Sequence, residues 1–184
     1  MKITEDKLKD ILTNHLLWIE NKENGKYANL EGAYLVGTDL EGANLRYTDL
    51  SDANLSNANL RGADLKNANL NDADLEGANL KGANLSDADL KYANLKCANL
   101  QDANLQDAYL EGANLKGVNL KYAYLEGANL KYAYLEGADL EYADLKYANL
   151  KGANLQDANL QDAYLEGTDL SDANLEGANL RGAI

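Results

Sequence analysis

Phenylalanine and proline are absent from this 184-residue chain, and cysteine, tryptophan, methionine and histidine occur once each. Most of the 46% apolar content is alanine and leucine. That shortage of large shapes excludes the mixed core of an ordinary globular domain and demands a narrow, uniform one. The single cysteine, Cys97, excludes an internal disulfide framework. His15 and Cys97 are far apart in sequence and form neither a nucleophile–base pair nor a metal cluster. The reading is therefore non-enzymatic, with no cofactor and no metal. No apolar run is long enough for a signal peptide or a membrane span, so the expected compartment is the cytoplasm. Basic residues are the minority, and the net charge is −13. That argues against a nucleic acid or an anionic membrane as a direct ligand and leaves room for a basic protein partner.

What the sequence has in abundance is a period of five. From Leu30 to Leu180 every fifth residue is leucine, 31 times without a miss. Two positions before each leucine sits alanine, except at Thr38, Thr48, Val118 and Thr168. One position before sits Asn, Asp or Tyr. Five steps on an α-helix wind the leucines around the cylinder, and five steps on a flat strand put successive leucines on opposite faces. The chain must therefore turn a corner once per repeat, with Leu and Ala inside and the other three positions in water. Fourteen of the fifteen glycines lie two positions after a leucine. This is where a type II turn needs positive φ, and Asn57 and Asn67 suit it as well. Where Asp, Tyr or Cys stands at that position, the chemistry predicts type I or irregular turns.

Stretches such as Ala53-Asn54-Leu55-Ser56-Asn57 and Ala63-Asp64-Leu65-Lys66-Asn67 resemble the A(D/N)LXX pattern of the pentapeptide-repeat family. The resemblance spans residues 28 to 183. It implies an all-β solenoid, a right-handed quadrilateral β-helix with four repeats per coil and about eight coils here. Charge spacing supports four sides independently. Among residues just after Leu, pairs 20 apart give eight opposite-charge and four like-charge contacts, against eight and seven at spacing 15 and four and six at spacing 25. Glu76 with Lys96 and Lys116 with Glu136 are examples.

Residues 1–25 lack the repeat and read as an α-helical cap and linker, leaving 26–184 as the solenoid. Thr4 is the expected N-cap, with Glu5 and Asp6 in the first turn. Leu8, Ile11, Leu12, His15, Trp18 and Ile19 share one face, and Gly25 is the expected terminator. The helix should cover the first coil near Leu30 to Leu45, which makes His15 and Trp18 packing residues.

The carboxylates recur with the repeat and lack a burial argument for a shifted pKa. The Asn/Asp positions before Leu should stack into a ladder along the rod, unbroken from Asp39 to Asn179 on one face. The twelve tyrosines are the main candidate surface. Tyr122 and Tyr142, 20 apart, should stack, as should Tyr27 and Tyr47. Tyr122, Tyr142, Tyr132 and Tyr124 are the candidate contact residues. At the C-terminal end, Leu165, Leu170, Leu175, Leu180 and Ile184 should present an open apolar edge that pairs two copies into a homodimer.

The favoured function is a rigid acidic rod that acts as an interaction scaffold or spacer. The alternative, implied by the resemblance, is a DNA mimic that binds DNA gyrase or another DNA-binding protein. Every centre here is Leu where that branch often carries Phe, there are no inserted loops, and lysines interrupt each face.

Overall fold

The computed structural model describes residues 3–184. One helix, α1 (Glu5–Ile19), is followed by a long series of isolated parallel β-bridges. Each bridge joins residues 20 apart, from Asn29 with Asp49 to Asn159 with Asn179, in four columns that begin at positions 29, 34, 39 and 44. Four five-residue repeats thus separate each stacked pair. We call each such 20-residue stretch a tier.

The backbone explains why five residues suffice. Within a mid-rod repeat that follows an Asn-Leu or Asp-Leu pair every N–H has a partner, as the repeat after Leu100 shows. Leu100 N–H donates to the Asn119 carbonyl one tier on, and Asp102 N–H to that of Lys121. Ala103 N–H closes the turn onto the Leu100 carbonyl, and Asn104 N–H reaches back to the Ala83 carbonyl. The remaining N–H, that of Gln101, donates to the side-chain Oδ1 of Asn99. This last bond is an Asx turn, and it explains the residue type before each Leu. Every Asn or Asp at that position accepts in this way, as in Glu31 N–H to Asn29 and Arg181 N–H to Asn179.

The core follows the five-residue pattern. No leucine from Leu45 to Leu160 is more than 1% exposed, and the alanines and Val118 fill the space between them. The corners differ from the sequence expectation. All of them, from Gly32 to Gly182, have positive φ, including Asp102 (59°), Cys97 (55°) and Tyr122 (58°). With negative φ at the residue before, each has the φ signs of a type II turn. Asp, Tyr and Cys corners are therefore not type I. Three inter-tier hydrogen bonds and one turn bond hold each mid-rod repeat in register, and they outweigh the local preference of a single residue against the left-handed region.

The cap uses different means. Thr4 caps α1 by accepting from Lys7 N–H at 3.4 Å. Leu8 and His15 are buried, and Ile3, Ile11 and Leu12 pack against the leucine column. His15 lies fully buried between helix and rod. Its Nδ1 accepts from Ala28 N–H at 3.1 Å, which fixes the neutral tautomer. Its Nε2–H faces the Arg46 carbonyl at 2.8 Å and Thr48 Oγ1 at 3.1 Å. Gly25 does not end the helix. The helix stops at Ile19, and Asn21 takes the positive φ that follows it. Gly25 instead lets the returning chain approach closely, because a Cβ there would collide with the Trp18 backbone.

Candidate interaction surface

Tyrosine is the residue that the local rules of this rod do not ask for. At Tyr34, Tyr109, Tyr124, Tyr134 and Tyr164 it stands before Leu, where it cannot form the Asx bond that every Asn and Asp there makes. At corners such as Tyr122 and Tyr142 it adopts positive φ, a conformation that disfavours a residue with a bulky side chain. Places where a sequence breaks its own local pattern are where function is to be sought.

Four of these residues come together. Tyr122, Tyr124, Tyr142 and Tyr164, with Ala123 and Asp144, line a shallow depression of about 320 Å³. Tyr122 and Tyr142 stack at 5.3 Å between ring centroids and 2° between planes. Tyr124, Asp144 and Tyr164 follow one another up a single bridge column. All four rings are exposed. Above the stacked pair, the Asp162 carboxylate holds the Tyr142 hydroxyl pKa above its usual value, through its charge and a hydrogen bond. Of the sequence candidates, Tyr122, Tyr124 and Tyr142 share this site, and Tyr132 does not. Two repeats separate Tyr132 from Tyr122, and its ring lies over Gly152. Tyr164 is the residue that sequence reasoning passed over. Its signal was the 40-residue spacing from Tyr124, masked by Asp144 in the tier between.

Tyr27 and Tyr47 do not pair with each other among the described residues. Each meets Trp18 edge-on, at 5.3 and 6.4 Å. Trp18 also stacks on His15 at 5.6 Å, so the aromatic group at this end is part of the cap. A groove of about 790 Å³ follows the seam between α1 and the first tier, lined in part by Leu12, Leu16, Leu35 and Leu40. Cys97 is an exposed corner facing Gly117. Among the described residues no group of His, Cys, Asp and Glu could hold a metal ion, and no helix is long and apolar enough to cross a membrane.

The amide ladder runs through the Asn/Asp positions. On the face that starts at Asp39, Nδ2 of Asn59, Asn79, Asn99 and Asn119 each donates to Oδ1 one tier below. Asp139 has no N–H to give and interrupts the ladder, and Lys121 fills the gap by pairing with Asp139 at 3.2 Å and Glu141 at 2.6 Å. Asn159 and Asn179 then resume it. Of the charge pairs expected at spacing 20, Glu76–Lys96 and Lys116–Glu136 form at 3.2 and 3.3 Å. Lys146 stands 20 residues from both Glu126 and Glu166, and lies over the Tyr164 ring at 5.3 Å. At the other end of the rod Leu165, Leu170 and Leu175 are half-buried, and Leu180 and Ile184 are exposed.

Known proteins resemble this chain over most of its length. The family described as pentapeptide repeats matches in eight copies, over stretches that run from 26–62 to 148–184. Among solved structures, the chain is similar to HetL, a pentapeptide-repeat protein involved in heterocyst differentiation regulation in the cyanobacterium Nostoc sp. strain PCC 7120. The identity is 31% over 99% of this chain and 97% of that one, with a TM-score of 0.43. It is also similar to QnrB1, a plasmid-mediated fluoroquinolone resistance protein, at 22% identity over 85% of this chain and 81% of that one, with a TM-score of 0.68. No curated protein matches the chain.

Proposed function

This chain belongs to the pentapeptide-repeat family, and from that premise we propose that it is a non-enzymatic scaffold whose tyrosine face holds a protein partner. In this reading residues 1–25 are the cap and 26–184 a right-handed, four-sided rod of about eight coils, working in the cytoplasm. One observation carries the reading. Tyr122, Tyr124, Tyr142 and Tyr164 each go against a local preference of the repeat, and all four gather in one exposed depression. Tyrosine is enriched where proteins bind proteins, because a large flat ring gives contact area with few rotamers to fix.

The test exploits the Asx turn. Tyr124→Asn with Tyr164→Asn removes two rings and supplies the acceptors the local fold lacks. The double variant should melt at or above the wild-type temperature while losing partners that the immobilised wild type retains from source-cell lysate. Identical sets of bound proteins would defeat the reading, and a marked drop in melting temperature would make the tyrosines structural.

A second reading, a DNA mimic that engages gyrase, draws on the net charge of −13. Lysines paired with carboxylates along the faces, as at Lys96, Lys116 and Lys121, weigh against phosphate-like rows. Inhibition of gyrase supercoiling by micromolar protein would favour it over the scaffold.

A further inference from the structure

The surface of this protein already contains a pattern of cation recognition. Arg46 lies over Tyr47 at 5.5 Å, Lys91 over Tyr109 at 5.0 Å, Lys131 over Tyr132 at 4.8 Å and Lys146 over Tyr164 at 5.3 Å. Each uses the negative face of an aromatic ring. Among the described residues, Tyr122, Tyr124 and Tyr142 have no such cation. Lys121, their near neighbour in sequence, is held by Asp139 and Glu141. The three open rings line the same depression as Asp144, and Asp162 bonds to the Tyr142 hydroxyl. Flat aromatic faces beside a carboxylate suit a planar cation that can stack and donate two parallel hydrogen bonds. A guanidinium has that form and an ammonium does not.

We propose that the depression lined by Tyr122, Tyr124, Tyr142 and Asp144, bordered by Tyr164 under its own Lys146, is a receptor for an arginine side chain of the partner. This rests on the reading of the tyrosine face as a contact surface and names the chemistry of what it contacts. The −13 charge of the chain attracts any polycation at low salt, so attraction alone decides nothing. Selectivity and neutral substitutions do.

The experiment is a calorimetric titration of the full chain with hexa-arginine and hexalysine peptides at about 150 mM salt, where the screening length is about 8 Å. Hexa-arginine should bind about tenfold more tightly than hexalysine, and Tyr124→Asn should weaken it by about the same factor, the scale of one desolvated cation–π contact. Tyr124→Phe should keep the affinity because it keeps the ring. Tyr34→Asn, the same exchange at an exposed tyrosine elsewhere, should leave it unchanged. Equal affinity for the two peptides would overturn the proposal, as would an equal loss in Tyr34→Asn, no loss in Tyr124→Asn, or no binding at all. Each of those results leaves the scaffold to be judged by its own test, since a partner lost with the tyrosine face need not present arginine.

Discussion

The cap and the rod satisfy buried polar groups by opposite strategies. At the cap a single side chain, His15, meets Ala28 N–H, the Arg46 carbonyl and Thr48 Oγ1, and Trp18 covers it. In the rod the same four backbone bonds recur repeat after repeat, joined by an Asx bond wherever Asn or Asp precedes Leu. The cap is specified by one residue with several partners, the rod by many residues with the same partners. Loss of one group should therefore detach a unit at the cap. In the rod, effects should depend on whether the substitution enters the column or stays at a corner or a surface.

The largest effect should come from the column. Leu100→Asp puts a charge where nothing can pair with it, and transfer of an unpaired charge is costlier than the whole margin of stability of most domains. Thermal unfolding followed by circular dichroism should lose its cooperative transition, and a wild-type curve would disprove the inward leucine column. At the cap, His15→Ala leaves Ala28 N–H without its acceptor, at a cost of about 1–3 kcal/mol. Burial lowers the His15 pKa below its ordinary value, against a smaller opposing effect of the bond to the Arg46 carbonyl. The groups facing it from the rod are Arg46, Thr48 and Tyr27, and Trp18 faces it from α1. Because the folded pKa is the lower one, the cap's contribution is complete above about pH 6.5 and declines as pH falls below it. Trp18 fluorescence should report cap release on acidification, and His15→Ala should abolish that pH dependence.

Corners should come next. Gly112→Val and Asp102→Val both force a β-branched residue to positive φ, at about 1–2 kcal/mol each. Gly112→Val should be worse, since a Cβ there also comes within 2.7 Å of the Tyr92 ring. Equal melting shifts would mean that the Tyr92 ring simply moves aside. The smallest effect belongs to Lys96→Glu, which exchanges a solvent-screened pair with Glu76 for repulsion and should shift the melting temperature least of the set.

The rod is legible from sequence because one constraint, a corner every five residues, governs every position, and because stacked charges disclose the 20-residue spacing. The corner conformations are less legible. Glycine announces positive φ, whereas Asp102, Cys97 and Tyr122 are held there by bonds to other tiers that no local chemistry reveals. The same non-locality explains the tyrosines. Tyr122 and Tyr142 can be paired by counting to 20. Tyr132, a neighbour in sequence, faces elsewhere, and Tyr164 joins across a tier in which the column carries Asp144. The cap's histidine could be placed on a helix face, but its three partners come from two separate repeats and could not be named in advance.

One consequence of the amide ladder concerns direction. Each Oδ1 is pinned by the N–H two residues on, so its Nδ2 can point only one way, and every ladder bond found here donates toward the N-terminal end. A row of amides so constrained is a one-dimensional array of ordered dipoles in which each orientation reinforces the next. Aspartate, which accepts but cannot donate, terminates such an array. Asp139 is therefore a break between two segments polarised in the same sense, and Asp139→Asn would join them into a single polarised wire along that face of the rod.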